Sequence, residues 1–218
     1  MNTPIDLNEM GLCQMLRAID AGDCTTEAII HACFDRIDAR EPDVGAWQVQ
    51  RAREEYLACY QANKATLDAS LLKGLPLGVK DIIDTAEMPT EMGSPIHQGR
   101  QPIEDASCVA QLRAAGAIVL GKTVTTEFAY FKPGKTKNPA DLTRTPGGSS
   151  SGSAAAIADK MVPMALGSQT AASVIRPAAY CGAIGYVGSR GEFSLRGGQP
   201  LAQSLDSLGL FARQVEDI

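Results

Sequence analysis

Hydrophobic positions in the first seventy residues repeat at helical spacing. Apolar side chains recur at helical spacing over residues 7–19, and Ala21-Gly22-Asp23 ends this pattern. Thr25 or Thr26 can cap a second helix that runs to about Arg40. A possible strand over residues 44–49 and a third helix over residues 50–63 complete this part. The sequence therefore predicts a helical layer over residues 1–70.

After Gly74 the pattern changes to short apolar runs that glycine and proline interrupt. Alternating strands and helices of this kind indicate an α/β fold, with a mixed, mostly buried sheet flanked by helices. We expect a single domain over residues 1–218, in which residues 71–218 form the α/β core. The predicted strands are 77–83, 117–120, 161–166 and 183–187, and the predicted helices are 105–115 and 150–158.

Composition excludes several classes of function. The net charge of -5 argues against a general attraction to nucleic acid or to anionic lipid, and no apolar run approaches the length of a membrane span. The six cysteines are far apart, with no Cys-x-x-Cys, and the chain has two histidines, so we expect no metal site. Reduced thiols in a cytoplasmic protein are the simplest interpretation.

Two hydroxyl-rich turns carry the candidate chemistry. Residues 145–153 read Thr-Pro-Gly-Gly-Ser-Ser-Ser-Gly-Ser and run directly into an alanine-rich helix, so Ser149 lies where exposed backbone amides are expected. Gly-Ser runs also form linkers, which is the alternative for this segment. The second turn, residues 167–173, follows a predicted strand and ends at Ser173. A serine preceded by consecutive backbone N–H groups is suited to attack a carbonyl carbon and to bind the resulting oxyanion.

A nucleophilic serine needs a base, and Lys80 is a stronger candidate for it than either histidine. It interrupts an apolar strand, where burial would lower its pKa and leave a neutral amine that can accept a proton. A lysine at a strand end that extends its amine to solvent is the alternative. His31 lies within a predicted helix and His97 in a loop, so we expect surface or packing roles for both.

One motif match is misleading. Gly116 to Thr123 satisfies the P-loop pattern G-x-x-x-x-G-K-[ST], but a helical pattern precedes it and its central residues form a strand-like apolar run. A phosphate-binding loop needs a strand before the first glycine and a turn of free amides after it. We therefore do not expect nucleotide binding here.

Five segments together resemble the amidase signature family. They are Gly74-Leu-Pro-Leu-Gly-Val-Lys-Asp81, Leu112 to Thr123, Glu127-Phe-Ala129, Pro146-Gly-Gly-Ser-Ser-Ser-Gly-Ser153 and Ser173-Val-Ile-Arg-Pro-Ala178, in the family's order. The run after Ser173 is similar in particular to malonamidase-type and carboxybiuret-hydrolase-like members.

The resemblance implies an amidohydrolase without metal or organic cofactor. Carried onto this chain, Ser173 is the nucleophile, Ser149 the bridging serine after a cis peptide bond, and Lys80 the base. The backbone amides of residues 170–173, namely Thr170, Ala171, Ala172 and Ser173, would form the oxyanion hole. An acyl-enzyme on Ser173 would then be hydrolysed by water.

Arg176 is implied to bind a carboxylate of the substrate, which the planar guanidinium can do with two hydrogen bonds. A short linear amide that bears a carboxylate is therefore the expected substrate class. A structural ion pair is the alternative role of Arg176.

Two departures from the family pattern leave alternatives open. The family has Gly-Gly before the nucleophile, where this chain has Ala171-Ala172, and alanine would be strained if either position required a positive φ. Relatives also continue well beyond the equivalent of residue 217. We expect a homo-oligomer, or a partner subunit, to cover the surface that the absent half would cover. The alternative functions are a catalytically weak binding module and an amidotransferase subunit.

Overall fold

The structure is a computed structural model that describes residues 6–218, and these residues form a six-stranded sheet with seven α-helices. The helices are α1 Leu12–Ala21, α2 Thr26–Val44, α3 Arg53–Ala62, α4 Lys64–Asp68, α5 Ser107–Ala114, α6 Ser151–Ala158 and α7 Ile175–Cys181. The strands are β1 Trp47–Gln50, β2 Pro76–Lys80, β3 Ile118–Thr123, β4 Met164–Gln169, β5 Ile184–Val187 and β6 Ser207–Ala212.

The sheet is mixed, as the sequence predicts. Its strand order is β1-β3-β2-β4-β6-β5. The central strand β2 pairs in parallel with both β3 and β4, whereas β1, β6 and β5 join by antiparallel pairing. Because parallel strands end at the same edge, the carboxyl ends of β2 and β4 lie side by side. This edge is where the candidate catalytic residues meet.

The N-terminal helices differ from the prediction at their ends. Gly11 separates a short 3-10 turn, Leu7–Glu9, from α1, so the first helix begins later than the hydrophobic pattern indicates. Helix α2 continues past Pro42 to Val44 and ends at Gly45, which has a φ of 64°. The following strand β1 is therefore shifted towards the C-terminus. It joins the sheet beside β3, so this part of the chain is not purely helical.

Sequence patterns did not reveal α4, α7 or β6. Helix α7 contains Pro177, which normally indicates a helix break, but this proline lies in the first turn, where backbone N–H groups have no partner within the helix. Strand β6 follows a glycine-rich loop and has a glycine at its third position. Glycine is disfavoured in a strand interior, which concealed this element.

The core lies on both faces of the sheet. Val119 on β3 packs on one face with Leu77 and Leu166, whereas its neighbours Ile118 and Leu120 pack on the other face. Alternate residues of a strand point to opposite faces, so the continuous apolar runs of these strands match a sheet that is covered on both sides. Helices α1 and α5 contribute to the first face, α3 and α6 contribute to the second, and α2 contributes to both.

Helix α6 is the most deeply buried helix segment, with every residue from Ser151 to Ile157 buried. Its small side chains let the helix backbone approach the sheet closely. At Gly152, a β-carbon would lie 2.2 Å from the Ala46 carbonyl oxygen and 2.4 Å from the Val124 nitrogen. Glycine is therefore required at this position, because both neighbours are backbone atoms that cannot rotate away.

We expect Gly152→Ala to lower the free energy of unfolding by at least about 3 kcal/mol, the upper end of the usual cost of overpacking. Gly182→Ala is the control, because Gly182 has a φ of 79° and a β-carbon there would meet nothing within 4 Å. That variant should lose roughly 1–2 kcal/mol from backbone strain alone. Urea unfolding measures both values, and equal losses would contradict the close approach of α6 to the sheet.

Candidate active site

Lys80 is the centre of the candidate site. It is the last residue of β2 and has no exposed surface, so its amine is held inside the protein. Its Nζ lies 2.7 Å from Ser149 Oγ and 2.9 Å from Ser168 Oγ, with the Ser168 carbonyl oxygen at 3.4 Å. The alternative of a lysine that extends to solvent is wrong for this residue. The structure instead pairs Lys80 with a serine hydroxyl.

Burial changes the charge state of this amine. It lowers the pKa of Lys80 to about 7, because a buried ammonium loses its hydration, and the negative charge of Asp206 partly opposes this effect. A substantial fraction of the amine is therefore neutral at physiological pH and can accept a proton.

Ser149 lies in the turn before α6. It is fully buried, and its carbonyl oxygen accepts a hydrogen bond from the Thr126 N–H at 3.1 Å. The Gly148–Ser149 peptide bond is cis, as the family resemblance implies. The hydroxyl of Ser149 thus contacts Lys80, while the backbone carbonyl of the same residue is held by Thr126.

Ser173 lies in the turn between β4 and α7. Its carbonyl oxygen accepts a hydrogen bond from the Ser150 N–H at 3.2 Å, which brings the two serine segments together. Within the described residues, the hydroxyls of Ser149 and Ser173 are not hydrogen-bonded to each other. The next residue, Val174, packs against β6 at Gly209, where a β-carbon would lie 2.2 Å from Val174 Cγ2. Close packing on the sheet therefore fixes the position of the Ser173 turn.

Four consecutive backbone N–H groups are free at this turn. Within residues 6–218, the N–H groups of Thr170, Ala171, Ala172 and Ser173 donate to no protein acceptor. The next two, from Val174 and Ile175, both donate to Gln169 Oε1, at 3.0 and 3.1 Å. A run of free donors beside a serine hydroxyl is suited to bind an oxyanion.

The double alanine does not strain the turn. Neither Ala171 nor Ala172 has a positive φ, although five other non-glycine residues among those described do. A left-handed backbone, the condition under which alanine would be costly, is absent at these two positions.

Ser168 is a site residue that the sequence did not reveal, and the role of Gln169, where the family often has aspartate, was not predicted. Gln169 caps the start of α7 through its side chain, and Ser168 holds the amine of Lys80. Strand pairing is what places Ser168 beside Lys80. In the parallel β2–β4 pair, Val79 lies opposite Leu166, so Lys80 lies close to the end of β4. Strand pairing cannot be read from a single sequence, so this placement required the fold.

Arg176 contacts the backbone of the Ser149 turn. Its Nε and Nη2 donate to the Gly148 carbonyl oxygen at 3.0 and 2.7 Å. Arg176 therefore does not form the structural ion pair that was its alternative role, because its partner is a carbonyl group and not a carboxylate. Nη1 has no hydrogen-bond partner in the described part of the chain, which leaves one nitrogen for another ligand.

A cavity of about 550 Å³ adjoins the site. Ser168, Thr170 and Asp206 line the side towards Lys80, and Ile82 and Ile83 line the side after β2. Residues 194–201 and Gln203 form much of the remaining wall, and Cys108, Ala129 and the start of β6 complete it. The cavity is large enough for a small organic molecule.

The other motifs have structural roles. Lys122, the lysine of the P-loop pattern, is buried in β3, where Nζ donates to the Ile83 carbonyl at 2.8 Å and lies 3.6 Å from Asp81 Oδ1. Its surroundings form a strand and not an anion-binding turn. His31 is exposed on α2, and His97 packs edge-on against Phe128 with ring centroids 5.7 Å apart.

All six cysteines are unpaired, and Cys33, Cys108 and Cys181 are buried. None of the helices in residues 6–218 combines the length and the apolarity needed to cross a bilayer. Those residues also contain no cluster of three or more histidine, cysteine or acidic side chains that could hold a metal ion.

Comparison with known proteins gives consistent matches. The family model described as Amidase matches residues 28–218. The A subunit of glutamyl-tRNA(Gln) amidotransferase from Roseiflexus castenholzii is 39% identical over 97% of this chain and 45% of its own length. The corresponding protein of Oleidesulfovibrio alaskensis is 39% identical over 94% and 44%.

Solved structures agree with this match. Peptide amidase from Stenotrophomonas maltophilia superposes with a TM-score of 0.86 at 32% identity, over 96% of this chain and 46% of that one. A protein of a complex described as vestigial, in work on the origins of an s-triazine catabolic enzyme, gives 0.85 at 34% identity over 95% and 48%. The chain spans about half the length of the relatives it matches. Its sequence motifs, its fold and these matches show that it belongs to the amidase signature family.

Proposed function

We propose that this chain carries the catalytic centre of an amidohydrolase that cleaves a small linear amide through Lys80, Ser149 and Ser173. The observation that carries the proposal is the 2.7 Å contact between the buried amine of Lys80 and Ser149 Oγ. Family membership and the free N–H groups beside Ser173 support it.

In the proposed mechanism two protons each move one step along the three side chains. Neutral Lys80 accepts the proton of Ser149, and Ser149 accepts the proton of Ser173 as Ser173 Oγ bonds to the amide carbon. The N–H groups of residues 170–173 stabilise the oxyanion. The C–N bond then breaks, the proton returns to the leaving nitrogen, and water hydrolyses the acyl-enzyme. This relay needs a hydrogen bond between the hydroxyls of Ser149 and Ser173. Catalytic hydrogen bonds of this kind often form only when substrate binds.

A carboxylate-bearing substrate is the narrower part of the proposal. Nη1 of Arg176 is available for it, and Arg176 lies one turn from Ser173 on α7. A guanidinium nitrogen can bind a carboxylate oxygen through a charge-assisted hydrogen bond.

Association with a second subunit is a further part of the proposal, together with a cytoplasmic location. Strand β5 pairs with β6 on one side, so its other side is an open sheet edge in the described part of the chain. Ile175 and Tyr180, both on α7 beside the site, are about half exposed. An open edge and exposed apolar side chains favour contact with another copy or with a partner subunit.

A role within an amidotransferase is the second candidate, because the relatives above are named as the A subunits of such enzymes. In that case the site would release ammonia from glutamine for use by a partner. A catalytically weak module that binds a partner is the third possibility.

We expect a serine-directed phosphonate to label Ser173, with a rate that rises with pH through about 7 as the Lys80 amine loses its proton. Lys80→Ala should lower the rate by roughly 10²- to 10⁴-fold, the usual contribution of a general base. Ser149→Ala keeps the amine and should lower it as well. Lys137→Ala, at an exposed lysine, is the control. Unchanged labelling in a folded Lys80→Ala protein would contradict the assignment.

A panel of small amides with and without a carboxylate, assayed for ammonia release, tests the role of Arg176. We expect the acidic amides to be preferred and Arg176→Gln to raise their KM while activity on neutral amides persists. If the variant loses both activities equally, the contact with the Gly148 carbonyl is the role that matters. Equal wild-type activity on the two groups of amides would exclude a carboxylate-bearing substrate class.

Glutamine hydrolysis separates the first candidate from the second. If the chain works within an amidotransferase, its release of ammonia from glutamine should increase when the other subunits of a glutamyl-tRNA(Gln) amidotransferase are added. For an independent amidohydrolase, those subunits should leave the rate unchanged. No labelling, no turnover and a stable complex with another protein would favour the binding module.

A further inference from the structure

Asp206 lies at the point where three parts of the candidate site meet. It directly precedes β6 and lines the cavity beside Ser168 and Thr170. One carboxylate oxygen accepts a hydrogen bond from the Thr170 hydroxyl. The other accepts the N–H groups of Leu201 and Ala202, at 2.9 and 3.0 Å. A single side chain therefore connects the start of the free N–H run to the loop that forms the cavity wall.

The strand register explains why these contacts form. Gln169 opposite Ser207 is the last pair of the β4–β6 ladder, so Thr170 and Asp206 are the next two residues beyond it. The backbones separate there, and the Asp206 carboxylate bridges the gap. The same loop is closed by the N–H groups of Leu205 and Asp206, which donate to the Ala202 carbonyl at 2.8 and 2.9 Å.

Asp206 also supplies the charge that acts on Lys80. The neighbours of Lys80 on β3, β4 and the turn before α6 are the uncharged Thr123, Ser168 and Ser149. Two further charged groups lie close in sequence or register, Asp81 and Lys122, and they pair with each other at 3.6 Å. Asp206 is the charged group whose attraction raises the pKa of Lys80 against the effect of burial.

We propose that Asp206 is a positioning residue of this site: it fixes Thr170 at the start of the free N–H run and holds loop 201–206 against the cavity. This inference rests on the proposed amidohydrolase function. A carboxylate is suited to the role because both of its oxygens accept hydrogen bonds, whereas the amide of an asparagine has only one acceptor oxygen. Because the same carboxylate acts on Lys80, it couples the geometry of the oxyanion site to the charge of the base.

The experiment compares four variants in the phosphonate-labelling assay. Asp206→Ala should slow labelling about 10- to 100-fold, the scale expected for a misplaced catalytic group. Asp206→Asn should shift the pH midpoint of labelling to lower pH, because the Lys80 ammonium then loses the stabilising negative charge of Asp206. Thr170→Val should slow labelling with the midpoint unchanged. Glu54→Gln removes an exposed carboxylate and should match the wild type.

Hydrogen exchange gives a readout that does not require activity. The Leu201 and Ala202 amides should exchange faster in Asp206→Ala than in the wild type or in Glu54→Gln, since they lose their acceptor. Absence of labelling in the wild type would overturn the proposed function itself. Labelling that depends on Lys80, with an unshifted midpoint in Asp206→Asn and unchanged exchange in Asp206→Ala, would overturn the role of Asp206 alone.

Discussion

The contact between the Lys80 amine and the hydroxyls of Ser149 and Ser168 is the interaction on which the site depends. A lysine with no exposed surface is costly as an ammonium ion, and burial lowers its pKa to about 7. The surrounding protein offers it hydroxyl groups and one nearby carboxylate in place of water. The site can therefore hold an amine that exchanges a proton near neutral pH, which explains how a serine could be activated without histidine.

Lys122 shows that burial alone does not make a base. It lies on the strand next to Lys80 and is equally buried, but a carboxylate at 3.6 Å and the Ile83 carbonyl hold its amine. Burial lowers the pKa of Lys122 to about 8, and the negative charges of Asp81 and Asp84 oppose this effect. The two lysines share a sheet and differ in their partners, and the partners determine which one can serve in proton transfer.

Close backbone approach places the remaining groups. The absence of a side chain at Gly152 lets α6 lie directly against β3, and Gly209 leaves room for Val174 beside the nucleophile turn. These contacts leave the N–H groups of residues 170–173 free, because the turn is held by packing and by the Gln169 side chain and not by hydrogen bonds of its own amides. Such a preorganised set of donors needs no rearrangement when charge develops on a substrate.

The sequence by itself determined the α/β class, most strands of the sheet and the candidate residues Lys80, Ser149 and Ser173, because hydrophobic periodicity and local motifs are encoded over short stretches. It did not reveal β6 or α7, where a glycine and a proline conceal elements that tertiary packing stabilises. Only the tertiary structure decided that Lys80 bonds to Ser168, that Arg176 binds the Gly148 carbonyl, and that Asp206 bonds to Thr170. Each of these contacts joins residues that are distant in the chain. Strand pairing, which a single sequence does not specify, brings Lys80 to Ser168 and Asp206 to Thr170, and the packing of α7 against α6 brings Arg176 to Gly148.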